Sequence, residues 1–304
     1  MLRQRTIRKA VHAIGTGVHS GETVRMTLRP AGENTGVLFV RADAGNATVR
    51  ATVDNVCDTT LSTSIGENGT EVSTVEHLMS ALWGLGIDNL VVELSGAEVP
   101  IMDGSAAPFV YLINSVGVRQ QFSRKQFLRV TREITVSDGD ATASLTPFQG
   151  FEAEYTFVAD HPVFNRYPKR AHFLHNEACY LEEVSRARSF GLVKDLEQAQ
   201  TINRCLGSSL ENAVGIGDFE ILNEDGLRYE DEFAKHKLLD AIGDLYLMGR
   251  PLLAHFRGYK SGHALNHRLA QALLHNEDAW EIVTLDPDEE PSLALQPVRQ
   301  PLAG

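Results

Sequence analysis

The sequence predicts an α+β protein made of two similar halves, each a two-layer unit in which helices back a sheet. Three observations carry that expectation. Strand-like alternation and helical periodicity both occur in each half, and a polar stretch near residue 120 separates the halves. The halves also share an order: strands, a helix carrying a His, a strand, a loop of small residues and another helix. EHLMSALWGLG (76–86) stands against KHKLLDAIGDL (235–245), and MDGSAAPFVYL (102–112) against YKSGHALNHRL (259–269). A chain of 304 residues suits two domains, and they are expected at 1–120 and 127–287, with a mobile tail over 288–304.

In ETVRMTLRP, Val24, Met26 and Leu28 share one face, and GVLFVRAD and RATVDNV continue the strands. STVEHLMSALWGLG reads as a helix with Thr74 as its N-cap, a stripe of Leu78, Leu82 and Leu85, and Gly86 as its stop. NLVVELS is a buried strand, and DGSAAPFVYLINSVG is a helix with Asp103 or Ser105 near its cap. GVRQQFSRKQ (117–126) reads as a linker. Strands follow in FLRVTREITV, ATASLTP and FEAEYTFVA, then a helix in HNEACYLEEVSRA. The helix EFAKHKLLDAIGDLYLMG, the strand PLLAHFRG, the helix HALNHRLAQALLH and the strand AWEIVTL complete the second half. Residues 191–217 have no counterpart in the first half and read as an insertion.

Composition narrows the function. Lys and Arg number 28 against 40 Asp and Glu, a formal charge of -12, which argues against a broad basic surface for nucleic acid. The three cysteines, Cys57, Cys179 and Cys205, are scattered, with no CxxC pair, and suit a reducing cytoplasm. No apolar run approaches the ~18 residues of a membrane span, and the basic N-terminal stretch lacks the apolar centre of a signal peptide.

The chemistry begins in EFAKHKLLDAIGDL, where His236, Asp240 and Asp244 stand at steps of four along one helical face, bordering an apolar stripe. Two readings are open. One is a surface pair worth a few tenths of a kcal/mol. The other is a metal site, since His and Asp at i, i+4 aim two ligand atoms at one ion and zinc hydrolases commonly use three protein ligands. The shared order of the halves brings His77 forward as the third ligand, with Glu76 beside it as a general base. His263 follows a Gly-rich turn near a helix N-terminus, where the backbone dipole disfavours a charged imidazole. Asp244 is its candidate partner, and His263 so supported is a candidate acid. Taken singly, a capped helix for Glu76–His77 and a satisfied core residue for His263 remain open. Of the 11 histidines, His12, His161, His172, His175, His255, His267 and His275 are read as structural or solvated.

TGVHSGE (16–22), STVEHL (73–78), PIMDGSAAPFV (100–110), SRARSFG (185–191), LNEDGLRYEDEFAKHKLLDAIGDL (222–245) and YKSGHALN (259–266) together resemble the UDP-3-O-acyl-N-acetylglucosamine deacetylase family nearly end to end. The resemblance implies two α+β domains packed as a sandwich with the helices inside. It implies removal of acetate from a nucleotide-linked acyl glucosamine, the committed step of lipid A synthesis, with one zinc ion per chain, a place iron(II) could also take. His77, His236 and Asp240 would be the ligands, Glu76 the base and His263 the acid, supported by Asp244. Ser189 stands where the family has a Thr that donates to the oxyanion. Lys237, Lys260 and Phe190 match substrate-contacting positions. The insertion would be the acyl passage, lined by Leu192, Val193, Leu196, Leu206 and Ala213. A cytoplasmic monomer is expected.

Some positions depart from the family pattern. Ala141 replaces a Lys that meets the nucleotide, Val158 and Ala159 stand where an Asp and a Phe hold uracil, and Leu192 replaces an aromatic. A lost base stack or charged contact costs roughly 1 to 3 kcal/mol. The departures keep open a relative with the same amide hydrolysis but another substrate or inhibitor tolerance.

Overall fold

A computed structural model describes residues 2–175 and 180–285 of the chain. Cys179 and the tail expected at 288–304 therefore lie outside the described residues. The first half runs β1 (Arg3–Ile7), β2 (Val11–Thr16), β3 (Thr23–Pro30), β4 (Val37–Arg41), β5 (Ala47–Arg50), β6 (Val56–Asp58), β7 (Ser64–Glu67), β8 (Thr70–Val72), α1 (Glu76–Gly84), β9 (Leu90–Leu94), α2 (Ala107–Val116) and β10 (Val118–Arg124). The second half opens with β11 (Phe127–Val130), β12 (Ile134–Asp138), β13 (Ala141–Pro147), β14 (Phe151–Thr156), β15 (Arg170–Leu174) and α3 (Tyr180–Glu183). It continues with β16 (Phe190–Leu192), α4 (Val193–Thr201), β17 (Val214–Ile216), α5 (Glu232–Tyr246), β18 (Leu252–Tyr259), α6 (His263–His275) and β19 (Trp280–Val283). Among the described residues, no helix is long and apolar enough to cross a membrane.

The two halves share a sheet plan. In the first, β3 pairs antiparallel with β2 and β9, and β4 runs parallel to β9 and antiparallel to β5. In the second, β13 pairs antiparallel with β12 and β18, and β14 runs parallel to β18 and antiparallel to β15. Strand order and sense agree at every step, a much stronger sign of duplication than the weak sequence repeat. The protein is α+β, as predicted. Helices α1, α2, α5 and α6 face inward: α1 packs on α2 and α5, α5 on β14, β15 and α6, and α6 on β12 and β13. Every residue of α1 is buried, including Glu76 and His77. A helix apolar nearly all round belongs in a core, where its few polar groups need partners.

Two local expectations are corrected. The segment 117–126 is not a linker: it forms β10, antiparallel to β1. Gln121 is buried there, donating to the Ala31 carbonyl (3.0 Å) and accepting from Asn89 (2.8 Å), and buried Lys125 donates to Asp88 (2.6 Å). Polar side chains with internal partners leave no apolar alternation to read. Thr74 is not the cap of α1 either. Its φ is 59°, and its hydroxyl donates to Glu98 (3.0 Å), while the helix begins after Val75.

The α1–α5 crossing depends on Gly243. A Cβ there would lie 2.8 Å from the Glu76 carbonyl carbon and closer still to its oxygen. Only a bare Cα lets α5 pass so near the base of the site.

Candidate active site

Helix α5 presents His236, Lys237, Asp240 and Asp244, α1 presents Glu76 and His77, and α6 opens with His263. The structure brings His77, His236 and Asp240 together, with one donor atom of each within 4.8 Å of the others. The Nε2 atoms of His77 and His236 both lie 3.4 Å from Asp240 Oδ1. His236 Nδ1 is 3.1 Å from the Ala187 carbonyl, which only accepts, so Nδ1 carries the proton and Nε2 turns a lone pair toward Asp240. Burial pushes the His236 pKa down to about 3, keeping the ring neutral. Burial opposes charge on Asp240, but the Lys237 ammonium, 2.7 Å from Oδ2, favours it, and the carboxyl is held well below its usual range.

This geometry tests the fit of a metal. Asp240 Oδ1 is buried and has no hydrogen-bond partner among the described residues, although a charged acceptor in a core normally has one. It faces an imidazole lone pair at a separation too long for a hydrogen bond and close to the spacing of two ligands on one ion about 2.0 to 2.2 Å from each. A His2Asp set meeting in this way fits a divalent cation.

A second set adjoins it. Asp244 Oδ2 accepts from His263 Nδ1 (3.0 Å) and Asn266 Nδ2 (2.9 Å), while Oδ1 accepts from the Thr63 hydroxyl (2.6 Å). Burial works against a charged His263, yet the adjacent Asp244 carboxylate raises its pKa to about 9. Glu76 accepts from the Thr63 backbone N–H (3.0 Å), and burial raises its pKa. One group stores a proton near neutrality and another can receive one, which is the pairing general acid–base chemistry needs.

The SRARSFG segment is anchored to the start of α5. Arg188 donates from its backbone N–H and Nε to Glu232 Oε1 (3.0 and 2.8 Å) and from Nη2 to Oε2 (3.1 Å), and Arg228 N–H adds a bond of 2.6 Å. Glu232 is fully buried. Glu232→Ala therefore leaves a buried guanidinium short of its counter-ion and should cost about 3 to 5 kcal/mol. An unchanged urea midpoint would refute this.

Ser189, next in that segment, is fixed by its N–H to the Gly104 carbonyl and by its own carbonyl, which accepts from Val214 N–H, both at 2.7 Å. Phe190 packs edge-on against His236 (5.9 Å between centroids) and Phe233 (4.9 Å), with Lys237 Nζ 5.8 Å above its ring. Both residues line a cavity of about 550 Å³. Four of the five side chains expected in the acyl passage, Leu192, Val193, Leu196 and Ala213, line it, joined by Leu61, Phe164, Leu210 and Leu222. Leu206 does not. Its N–H donates to the His19 carbonyl (3.1 Å), which sets its half-exposed side chain beside Gly21.

Lys260 stands apart from this cavity, its exposed Nζ bound to both carboxylate oxygens of Asp140 (2.8 and 2.9 Å). Ala141 follows at the start of β13, and Val158 and Ala159 lie beyond β14, with the Ala159 carbonyl 3.4 Å from Lys169 Nζ. Sequence reasoning missed Thr63, Asn266 and His19. Asn266 was within reach, three residues after His263 on one helical face. His19 lies in the quoted TGVHSGE motif and lines the cavity beside Cys205. Thr63 sits in a segment with no periodicity to mark it.

A family model described as UDP-3-O-acyl N-acetylglycosamine deacetylase matches residues 4–275. The chain is similar to proteins named UDP-3-O-acyl-N-acetylglucosamine deacetylase from three bacteria. That of Marinobacter nauticus is 52% identical over 287 residues, 94% of each chain. The Hahella chejuensis protein is 50% identical over 300 residues, 98% of this chain and 99% of the relative. The Chromohalobacter salexigens protein is 52% identical over 291 residues, 95% and 96% of the two chains.

Proposed function

Since the chain belongs to the UDP-3-O-acyl-N-acetylglucosamine deacetylase family, we propose that the helix-borne cluster is the centre at which it hydrolyses its substrate's acetamide, with His77, His236 and Asp240 holding the metal. The protein is an enzyme of lipid A biosynthesis, a hydrolase that removes the acetyl group from an acylated UDP-N-acetylglucosamine. The observation that carries the assignment of the centre is Asp240 Oδ1, without a hydrogen-bond partner among the described residues and facing two imidazole nitrogens. Zinc is the ion we propose; iron(II) suits the same donors.

An ion held there would polarise the acetyl carbonyl and make water more acidic. Glu76 takes one proton from the water as its oxygen adds to the carbonyl carbon. The Ser189 hydroxyl donates to the negative oxygen that develops, and Lys237 adds positive charge from the edge of the site. His263 then gives its Nε2 proton to the amine nitrogen as the C–N bond breaks, leaving the free amine and acetic acid, which loses its proton to solvent as acetate. The proton on Glu76 returns to solvent or to His263.

The cavity takes the 3-O-acyl chain along Leu192, Val193, Leu196 and Ala213, with Phe190 at its inner end. At ~0.8 kcal/mol per buried methylene, part of a fatty chain anchors the substrate. Lys260 would meet the diphosphate only on leaving Asp140. All these groups come from one chain, which supports a monomer, and the scattered cysteines support a cytoplasmic setting. A second reading, the same chemistry on another N-acetyl substrate, rests on the pairing of Lys260 with Asp140 together with Ala141, Val158 and Ala159.

The test is acetate release from UDP-3-O-(3-hydroxyacyl)-N-acetylglucosamine by zinc-loaded protein. Turnover abolished by Glu76→Ala and by chelation supports the first reading. No release with one zinc bound in the cluster would favour the second. Full activity in the chelated protein would sink both.

A further inference from the structure

We propose that the outer face of the second sheet carries a second divalent-cation site, with His255 of β18 and Glu152 and Glu154 of β14 as its core ligands and His172 of β15 beside them. The class of ion is a transition metal such as zinc. This site is separate from the family chemistry and stands on its own geometry.

Register places the four side chains together. Glu152 lies opposite His255, and Glu154 lies between Arg257 of β18 and His172 of β15. Alternate residues of the same strands, Ala153, Tyr155, Ala254 and Phe256, are buried in the core against the helices. The cluster therefore occupies the opposite face, away from α5 and α6.

His255 is the unusual member. It is only 7% exposed although it sits on the outer face, and the Phe148 ring lies 6.4 Å from its own. Its Nε2 is buried and has no hydrogen-bond partner among the described residues. That atom lies 3.6 Å from Glu154 Oε1, and Nδ1 lies 3.6 Å from Glu152 Oε2. Hydrogen bonds to carboxylates would close to about 2.8 Å. Donor atoms of the three residues nonetheless converge within 4.8 Å, the spacing of ligands around a shared ion. His172 Nε2 is 2.9 Å from Glu152 Oε1, and the ring is exposed enough to turn toward an ion. Arg257 Nε lies 3.7 Å from Glu154 Oε2 and partly balances that carboxylate, though not the pair. Imidazole with carboxylate selects zinc-like ions over magnesium or calcium.

The test is metal content after equilibrium dialysis of the whole protein against zinc, with magnesium as the comparison. Two zinc ions per chain are expected. One should be lost in His255→Ala and again in Glu154→Gln, a half-exposed position where the fold is not at stake, with acetate release unchanged in both. His77→Ala should keep the outer ion while losing the inner one, so the two assignments fail separately. A single zinc in the parent protein, a second zinc that survives both substitutions, or equal uptake of magnesium would overturn the proposal.

Discussion

Replacing His263 by alanine is expected to lower kcat for acetate release by roughly 10²- to 10⁴-fold, the usual worth of a positioned general acid. The ring is held by Asp244 through Nδ1, which leaves Nε2 as the edge that can give up a proton. With a pKa raised to about 9, His263 stays protonated across neutral pH. Activity should therefore fall on an alkaline limb near that value, and a raised Glu76 pKa sets the acid limb. The sign for stability runs the same way. A His whose folded pKa exceeds its unfolded value near 6.5 contributes fully below that value and loses the contribution as pH rises through about 9. Asp244→Asn removes the raising charge, so the alkaline limb should move toward neutrality while bound zinc is retained. An alkaline limb that stays in place would exclude His263 as the acid.

Gly243→Ala should destabilise the protein by about 3 kcal/mol, the upper end for overpacking a tight contact. Helix propensity alone predicts the opposite sign, a gain of nearly 1 kcal/mol. The contact decides, because the new methyl would enter the Glu76 carbonyl at the α1–α5 crossing. The helices must separate, and Glu76 and His77 move with α1, so activity should fall even in the folded fraction. Denaturant midpoints and single-turnover rates would measure both effects. A variant as stable as the parent would mean that the helices can slide apart freely.

How much of this was legible depended on whether one helix or several held the group. His236, Asp240 and Asp244 share α5, and their spacing displays them to any reader of helical period. His77 needed the repeat between the halves, which the matching sheet orders now place on firmer ground. Thr63 could not be read. It matters because tertiary packing delivers its N–H to Glu76 and its hydroxyl to Asp244, and no local pattern records such an encounter. The β10 strand was hidden for a related reason, its buried Gln121 being satisfied by Ala31 and Asn89 rather than by apolar neighbours. Leu206 was expected in the acyl passage as part of the insertion that the resemblance equates with it, and its backbone bond to His19 sets it beside Gly21, off the wall of the cavity.

Two of the proposed ligands stand one turn apart on α5, and the third stands on α1 in the other half. The second half alone can offer an ion only a two-toothed chelate, whose grip is loose and quickly exchanged. The third tooth arrives when the halves clasp, so the ion's residence time becomes a gauge of that clasp. Whatever loosens the seam between the helices, a cavity in α1 as much as a methyl on Gly243, should be felt first as a faster loss of metal, before any unfolding is visible.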